Sequence, residues 1–415
     1  MHSYLFWILA LLIGVFFLDT LADLLNLDRL NDKLPGEFRE IYDAKKYAES
    51  LRYQKDRVRF EFVQRTFFVG VTIPFIVLGG FQKLDEWSRS WGGSELSTGL
   101  LFIAFLGGGQ FLLQLPFSIY DTFVLEARYG FNKTTWGVFL GDLCKGLLLG
   151  SILGGLIFSG VVYFFEVAGP EAWLYSWITF TVFQIALTYL APILIMPLFN
   201  QFKPLPNSEL KQAIEDYART RQFQLNGIFT MDSSKRSTKS NAFFTGFGRF
   251  RRLVLFDTLV EKHSIQELVA VLAHEIGHFE RKHIVKSMVL SILTTGVVFY
   301  TFKLFIYNQD LFAAFRMSHL SVYASVVFVG LIYSPIFRLL SVFTQVLSRK
   351  HEFEADQFAV ETYGHPEKLI SALKKMSVDH LSHLTPHPLK VALDYSHPPI
   401  LKRIQVLERR IRGSR

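Results

Sequence analysis

Residues 264–283 read Ser264-Ile-Gln-Glu267-Leu-Val-Ala-Val-Leu-Ala-His274-Glu275-Ile-Gly277-His278-Phe-Glu-Arg-Lys-His283, with an H-E-x-x-H at their centre. On a helix, positions four apart lie about 40° apart around the axis. The imidazoles of His274 and His278 therefore point the same way and can grip one zinc ion. Glu275 sits about 100° round from His274, within reach of a water on that metal, where a general base is needed. Ser264 followed by Glu267 is a capping box ahead of an apolar run, so the helix is predicted without the motif. Gly277 inside a helix costs about 1 kcal/mol against Ala. That cost asks for a local reason, such as room near the metal. A pattern with two free positions also arises by chance on amphipathic helices, so a third ligand elsewhere in the chain decides.

The 415 residues are 50% hydrophobic with a mean hydropathy of +0.27, too apolar for an ordinary soluble protein. The 42 Phe suit lipid-facing and interfacial surface. The net charge of +8 fits loops facing anionic lipid. No basic cluster interleaved with aromatics argues for nucleic acid. Cys144 is the only cysteine, which excludes intrachain disulfides and thiolate clusters.

Apolar runs at 4–22, 66–81, 96–120, 147–165, 173–195, 285–307 and 321–346 read as seven transmembrane helices. The first lacks the basic flank and cleavage site of a signal peptide. Residues 23–65 read as a charged, solvated helical connector. The chain thus divides into helices 1–5 over 1–200, a peptidase segment over 201–284, helices 6–7 over 285–346, and a helical tail over 347–415. Within 201–284, strands are expected near 227–231, 241–247 and 252–257, with a polar turn at 233–240. Few residues separate the H-E-x-x-H helix from the sixth span, so the two can join in one helix. Lys and Arg number 10 in 23–65 and 3 in 121–146, against 2 in 82–95, none in 166–172 and 1 in 308–320. This asymmetry predicts an outside N terminus and a cytoplasmic peptidase segment and tail.

Catalytic zinc commonly takes three protein ligands. Directly after the seventh span come Glu352 and Asp356, four apart and on one helix face, while Glu354 points elsewhere. One carboxylate can bind zinc while the other orients a ligating histidine. His283 and His351 are rivals with poor angular placement. In the tail, Tyr395-Ser-His397-Pro-Pro399 fixes the backbone of His397, and Arg403 follows shortly. A positioned histidine or arginine there can stabilise an oxyanion.

Together these residues resemble an integral-membrane zinc metallopeptidase of the CAAX prenyl protease 1 type, a gluzincin family. The resemblance rests on His274–His278, Glu352-Phe-Glu-Ala-Asp356, Ser240-Asn-Ala-Phe-Phe-Thr-Gly-Phe247, and the run 395–403. It also rests on Pro116-Phe-Ser-Ile-Tyr120, Tyr129-Gly-Phe-Asn-Lys133 and Pro197-Leu-Phe-Asn200. It implies a mainly α, multi-pass protein whose helices enclose a chamber, joined to a zinc peptidase domain with a small sheet. It implies one zinc ion on His274, His278 and Glu352, with Glu275 activating the water and Asp356 supporting the ligands. It implies that Asn241, Ala242, Phe243 and Phe244 hold the substrate backbone by strand addition. It further implies that His397 and Arg403 engage the substrate near the scissile carbonyl.

The resulting expectation is a zinc endopeptidase acting near the C terminus of prenylated CAAX-type proteins or peptides, in the endoplasmic reticulum membrane. A bacterial-type quality-control protease of the cytoplasmic membrane, with no prenyl requirement, is the alternative enzyme reading. A protease with its zinc helix inside the bilayer is disfavoured by Glu267, Glu280, Arg281 and Lys282 around the motif. A metal-regulated transporter or channel is the reading from another class, with Asp142, Lys145 and Arg338 as its polar pathway.

Overall fold

The computed structural model describes residues 3–31, 33–245 and 251–413. Gly246 and Phe247, at the end of one expected strand, lie outside them. Seven described helical stretches are long and apolar enough to cross a membrane.

The first is α1 (Ser3–Asp28), and the second is α2 (Ala44–Val77), capped by the Asp43 carboxylate on the Lys46 N–H at 2.7 Å. The charged connector is thus mostly helix, with a loop only between Asp28 and Ala44. From Ala44 onward it is continuous with the second span, which stops at Val77 rather than at 81. Gly79, at φ 76°, turns the chain into a short amphipathic helix, α3 (Gly80–Ser90). Then come α4 (Glu95–Tyr120), prolonged by a π-turn at Asp121–Glu126, α5 (Trp136–Val167) and α6 (Ala172–Leu190). A second π-turn, Ala191–Ile195, leads into α7 (Met196–Phe199).

The peptidase segment holds β1 (Phe202–Pro204), α8 (Glu209–Thr220), β2 (Ile228–Met231), β3 (Ala242–Thr245), β4 (Arg252–Phe256), α9 (Asp257–Lys262) and α10 (Ile265–Glu280). The sheet order is β1-β2-β4-β3, with β2 and β4 parallel and the outer pairs antiparallel. Strand β1 was not expected from sequence, because Pro204 and its three-residue length hide it. Central β4 buries Leu253, Val254 and Leu255 completely or nearly so, each worth about 1.5–3 kcal/mol of apolar burial.

The chain continues as α11 (His283–Phe305), α12 (Gln309–Ala314), α13 (Val322–Tyr363), α14 (Pro366–Asp379), α15 (Pro388–Asp394) and α16 (Ile400–Gly413). Helices α10 and α11 are separate. The chain turns at Lys282, whose φ is 57°. Conversely, the seventh span and the acidic segment are a single helix of 42 residues.

The spans close a ring, with α1 against α2, α4 against α5, α5 against α6, α6 against α11, α11 against α13, and α13 back against α1. Stacked rings of Phe60 and Tyr120 join α2 to α4. One end of the ring is filled by a core of Phe81, Phe102, Phe312, Phe315, Phe328 and Tyr323. A second core, around α8, α10, β4, α14 and α16, belongs to the peptidase unit. Cavities of about 520 and 530 Å³ lie between α6, α11 and α13 and extend to α5.

The charges suspected of lining a polar pathway are bound into this frame. Arg338 of α13 bonds Asp19 of α1 at 2.6 Å and Asp394 of α15 at 2.5 Å. Asp142 takes both arms of the Arg236 fork, and the Lys145 ammonium donates to the Leu198 carbonyl. They act as cross-braces, which removes the observation behind the channel reading.

Candidate metal centre

The site forms where α10 crosses α13. The capping box at the start of α10 is present in both directions. The Ser264 N–H donates to Glu267 Oε2 at 2.9 Å, and the Glu267 N–H donates to Ser264 Oγ at 3.3 Å. Lys375 and Ser371 of α14 hold the same carboxylate at 2.7 and 2.6 Å. This anchorage fixes the rotation of α10, and so the direction of both imidazoles.

His274 Nε2 and His278 Nε2 stand 3.1 Å apart. Glu352 reaches them from α13, with Oε1 3.2 Å from His278 Nε2 and Oε2 3.6 Å from His274 Nε2. Ligand atoms at 2.0–2.2 Å from a tetrahedral zinc are roughly 3.3 Å from one another, so the three groups fit that ion. The Glu352 Oε2 is buried and makes no well-directed hydrogen bond among the described residues, although Arg403 Nη1 lies 3.1 Å from it. Burial pulls the His274 imidazole down, but hydrogen bonds to Asp356 and Glu352 outweigh it and raise it to about 9. A proton is thus welcome where a metal cation would sit.

Asp356, one turn beyond Glu352, lies 2.9 Å from His274 Nδ1, the nitrogen turned away from the other two ligands. Of the two carboxylates whose roles the spacing left open, Glu352 faces the imidazole pair and Asp356 backs one ring. Glu275 is half-buried and has no hydrogen-bond partner among the described residues. Burial pushes its carboxyl up, and the two imidazoles beside it pull it partly back.

Arg403 is 6% exposed. Its Nε and Nη2 donate to Asp356 at 2.8 and 2.6 Å, and Nη1 meets Glu352. Its fork binds the site's own carboxylates, which sets it beside the imidazole pair as a clamp on Asp356 and Glu352. His397 differs. It is exposed, with Nε2 3.4 Å from Glu352 Oε1 and Nδ1 2.8 Å from the Ser396 hydroxyl. Asn241 is exposed at the start of β3, the last strand of the sheet, whose outer edge has no partner strand among the described residues. Ala242 and Phe244 turn inward to the core that contains α10. Phe243 and Thr245 face a cavity shared with Pro192, Met196 and Phe229. Upstream of β3, the Ser240 N–H donates to His380 Nε2 at 3.0 Å, and Lys239 pairs with Glu126 of the first π-turn at 2.7 Å.

His283 and Glu354 carry a contact that angular reasoning missed. His283 Nδ1 is 3.0 Å from His278 Nδ1, and its Nε2 is 2.9 Å from Glu354 Oε2. A continuous helix would point His283 away. The turn at Lys282 brings it back, and nothing in the sequence announces a left-handed lysine.

A ring of spans with a two-histidine, one-carboxylate centre at its mouth defines a multi-pass membrane metallopeptidase. A profile described as "CAAX prenyl protease N-terminal, five membrane helices" matches residues 23–201, and that of peptidase family M48 matches 204–411. A rice protein named CAAX prenyl protease 1 homolog is 33% identical over 98% of this chain and 97% of its own. The human CAAX prenyl protease 1 homolog is 31% identical over 90% and 88%. The crystal structure of S. mikatae Ste24p superposes with a TM-score of 0.93 at 30% identity, covering 98% of this chain and 100% of the other. The chain belongs to peptidase family M48 and is a membrane metalloprotease.

Proposed function

We propose that this protein is a zinc endopeptidase that cleaves prenylated CAAX-type proteins or peptides near their C terminus. The observation that carries the catalytic part is the convergence of His274, His278 and Glu352 within 4.8 Å of one another, with Glu275 beside them. The substrate class follows the names of the full-length relatives. His274, His278 and Glu352 would hold zinc, which when bound supplies Lewis-acid polarisation of the scissile carbonyl and acidifies a water. Glu275, raised by burial yet flanked by imidazoles, takes the proton from the attacking water and returns it to the leaving amine. Asp356 accepts from His274 Nδ1–H, fixing the tautomer that leaves Nε2 free for the metal. Arg403 holds Asp356 and Glu352 in register. The outer edge of β3 after Asn241, unpaired among the described residues, would offer backbone groups to an extended peptide, and exposed His397 beside Glu352 would donate to the carbonyl oxygen. The excess of Lys and Arg in alternate loops supports a cytoplasmic active site.

The test is cleavage-site mapping by mass spectrometry on farnesylated and unmodified versions of one Cys-a-a-X peptide, using the zinc-loaded protein. Cleavage of the farnesylated form well above the unmodified form is expected. Equal cleavage of both would remove prenyl recognition and favour a quality-control protease.

A further inference from the structure

A zinc-binding imidazole that ligates through Nε2 carries a proton on Nδ1, and that N–H needs an acceptor. For His274 the acceptor is Asp356. For His278 no carboxylate stands at Nδ1 among the described residues. Its place is taken by the imidazole of His283, Nδ1 to Nδ1 at 3.0 Å, and His283 Nε2 lies 2.9 Å from Glu354 Oε2. With His278 bound through Nε2, one proton assignment satisfies every contact. The His278 Nδ1–H donates to His283 Nδ1, and the His283 Nε2–H donates to Glu354. No ring nitrogen is left over and no acceptor is doubled.

We propose that His283 and Glu354 are the positioning pair for His278, so that each histidine ligand is held by its own carboxylate, directly for His274 and through a neutral imidazole for His278. The proposal rests on the zinc reading above. Three features mark the contact as built. His283 is 4% exposed. Lys282 adopts a left-handed conformation, φ 57°, that swings the first residue of α11 back over α10. The ring of His351 stacks on that of His283 with centroids 4.0 Å apart and 10° between planes. His351 and Glu354 are three apart on α13, so one face of that helix supplies both the stacking ring and the acceptor. The same helix supplies Glu352 and Asp356 to the metal side.

The test is zinc affinity, measured by competition with a chelating dye on the purified full-length protein, together with the visible spectrum of the cobalt-substituted form. The expectation for His283→Ala is a zinc affinity lowered about 10–100-fold and an altered cobalt spectrum. Glu354→Ala should weaken zinc in the same direction, and Glu354→Gln, whose amide oxygen still accepts, should recover most of the loss. A folded His283→Ala protein with wild-type zinc affinity and cobalt spectrum overturns the proposal. Glu354 is part-exposed, so its variants fold even if His283→Ala does not. Equal affinity of Glu354→Ala, Glu354→Gln and wild type then overturns it as well. Failure of the wild type to bind zinc would instead overturn the metal reading itself, so the two failures are distinguishable.

Discussion

Gly277 of α10 lies against the backbone of Ala355 in α13. A methyl group at 277 would stand 3.0 Å from the Ala355 Cα and 3.1 Å from its carbonyl oxygen. The glycine therefore serves the helix crossing, not space for the metal. An alanine would gain about 1 kcal/mol of helix propensity but meet backbone that cannot rotate away, an overpacking cost of about 1–3 kcal/mol. Gly277→Ala should lower the melting temperature modestly and weaken zinc more than its stability loss suggests, because α13 carries Glu352. Unchanged zinc affinity in a chelator titration would refute this account of Gly277.

Glu275→Gln keeps the size of the side chain and leaves the three ligands intact. It should bind zinc with near wild-type affinity while its cleavage rate falls by about 10²–10⁴-fold, the usual contribution of a general base. Peptidase activity within tenfold of wild type on a zinc-loaded sample would remove Glu275 from the role.

Arg403 is a buried cation between two carboxylates. Replacing one member of such a cluster costs about 3–5 kcal/mol, mostly by leaving the others unpaired. Arg403→Ala should therefore be strongly destabilising without metal and less so with zinc bound, because the ion offsets the same carboxylates. Thermal melts with and without chelator read this directly. An equal loss in both states would show that Arg403 does not share the charge of the metal site.

Much of this centre was legible because its signals are local. Four-residue spacing puts His274 with His278 and Glu352 with Asp356 on common faces, and the Ser264–Glu267 box marks where α10 begins. The seven spans were legible for the same reason, since length and apolarity decide them. What stayed hidden depends on a backbone turn or on partners distant in sequence. Helical angles carried through Lys282 turn His283 off the metal face, and it is not among the three ligands; its contact with His278 Nδ1 comes from the turn at Lys282, where the helix stops. The clamp of Arg403 on Asp356 and Glu352 joins residues far apart in sequence, which no local spacing shows. Strand β1 is too short, and too marked by Pro204, to show a period of two.

The turn at Lys282 can be tested on its own. A non-glycine residue in the left-handed region costs about 1–2 kcal/mol, which glycine avoids. Lys282→Gly should leave stability level or raise it by up to about 1 kcal/mol, while a β-branched residue such as Val should lower it. If Val melts above Gly, the left-handed turn is not present in solution.

His380 accepts the Ser240 N–H immediately before β3 and must be neutral to do so. Burial, with Lys239 adding to it, pushes its imidazole down to about 4, against roughly 6.5 for an unfolded histidine. Above about pH 6.5 neither state holds the proton, and the group contributes nothing to the pH dependence. As pH falls from 6.5 towards 4, the unfolded chain takes up a proton that the folded one refuses, so stability is lost across that window and levels off below it. His380→Gln removes this titration while keeping an oxygen that can accept from Ser240. Its melting temperature should fall less steeply than that of the wild type between pH 6.5 and 4.5, with the curves parallel above pH 7. Curves parallel throughout would mean that His380 gains its proton equally in both states and does not hold the entry to β3.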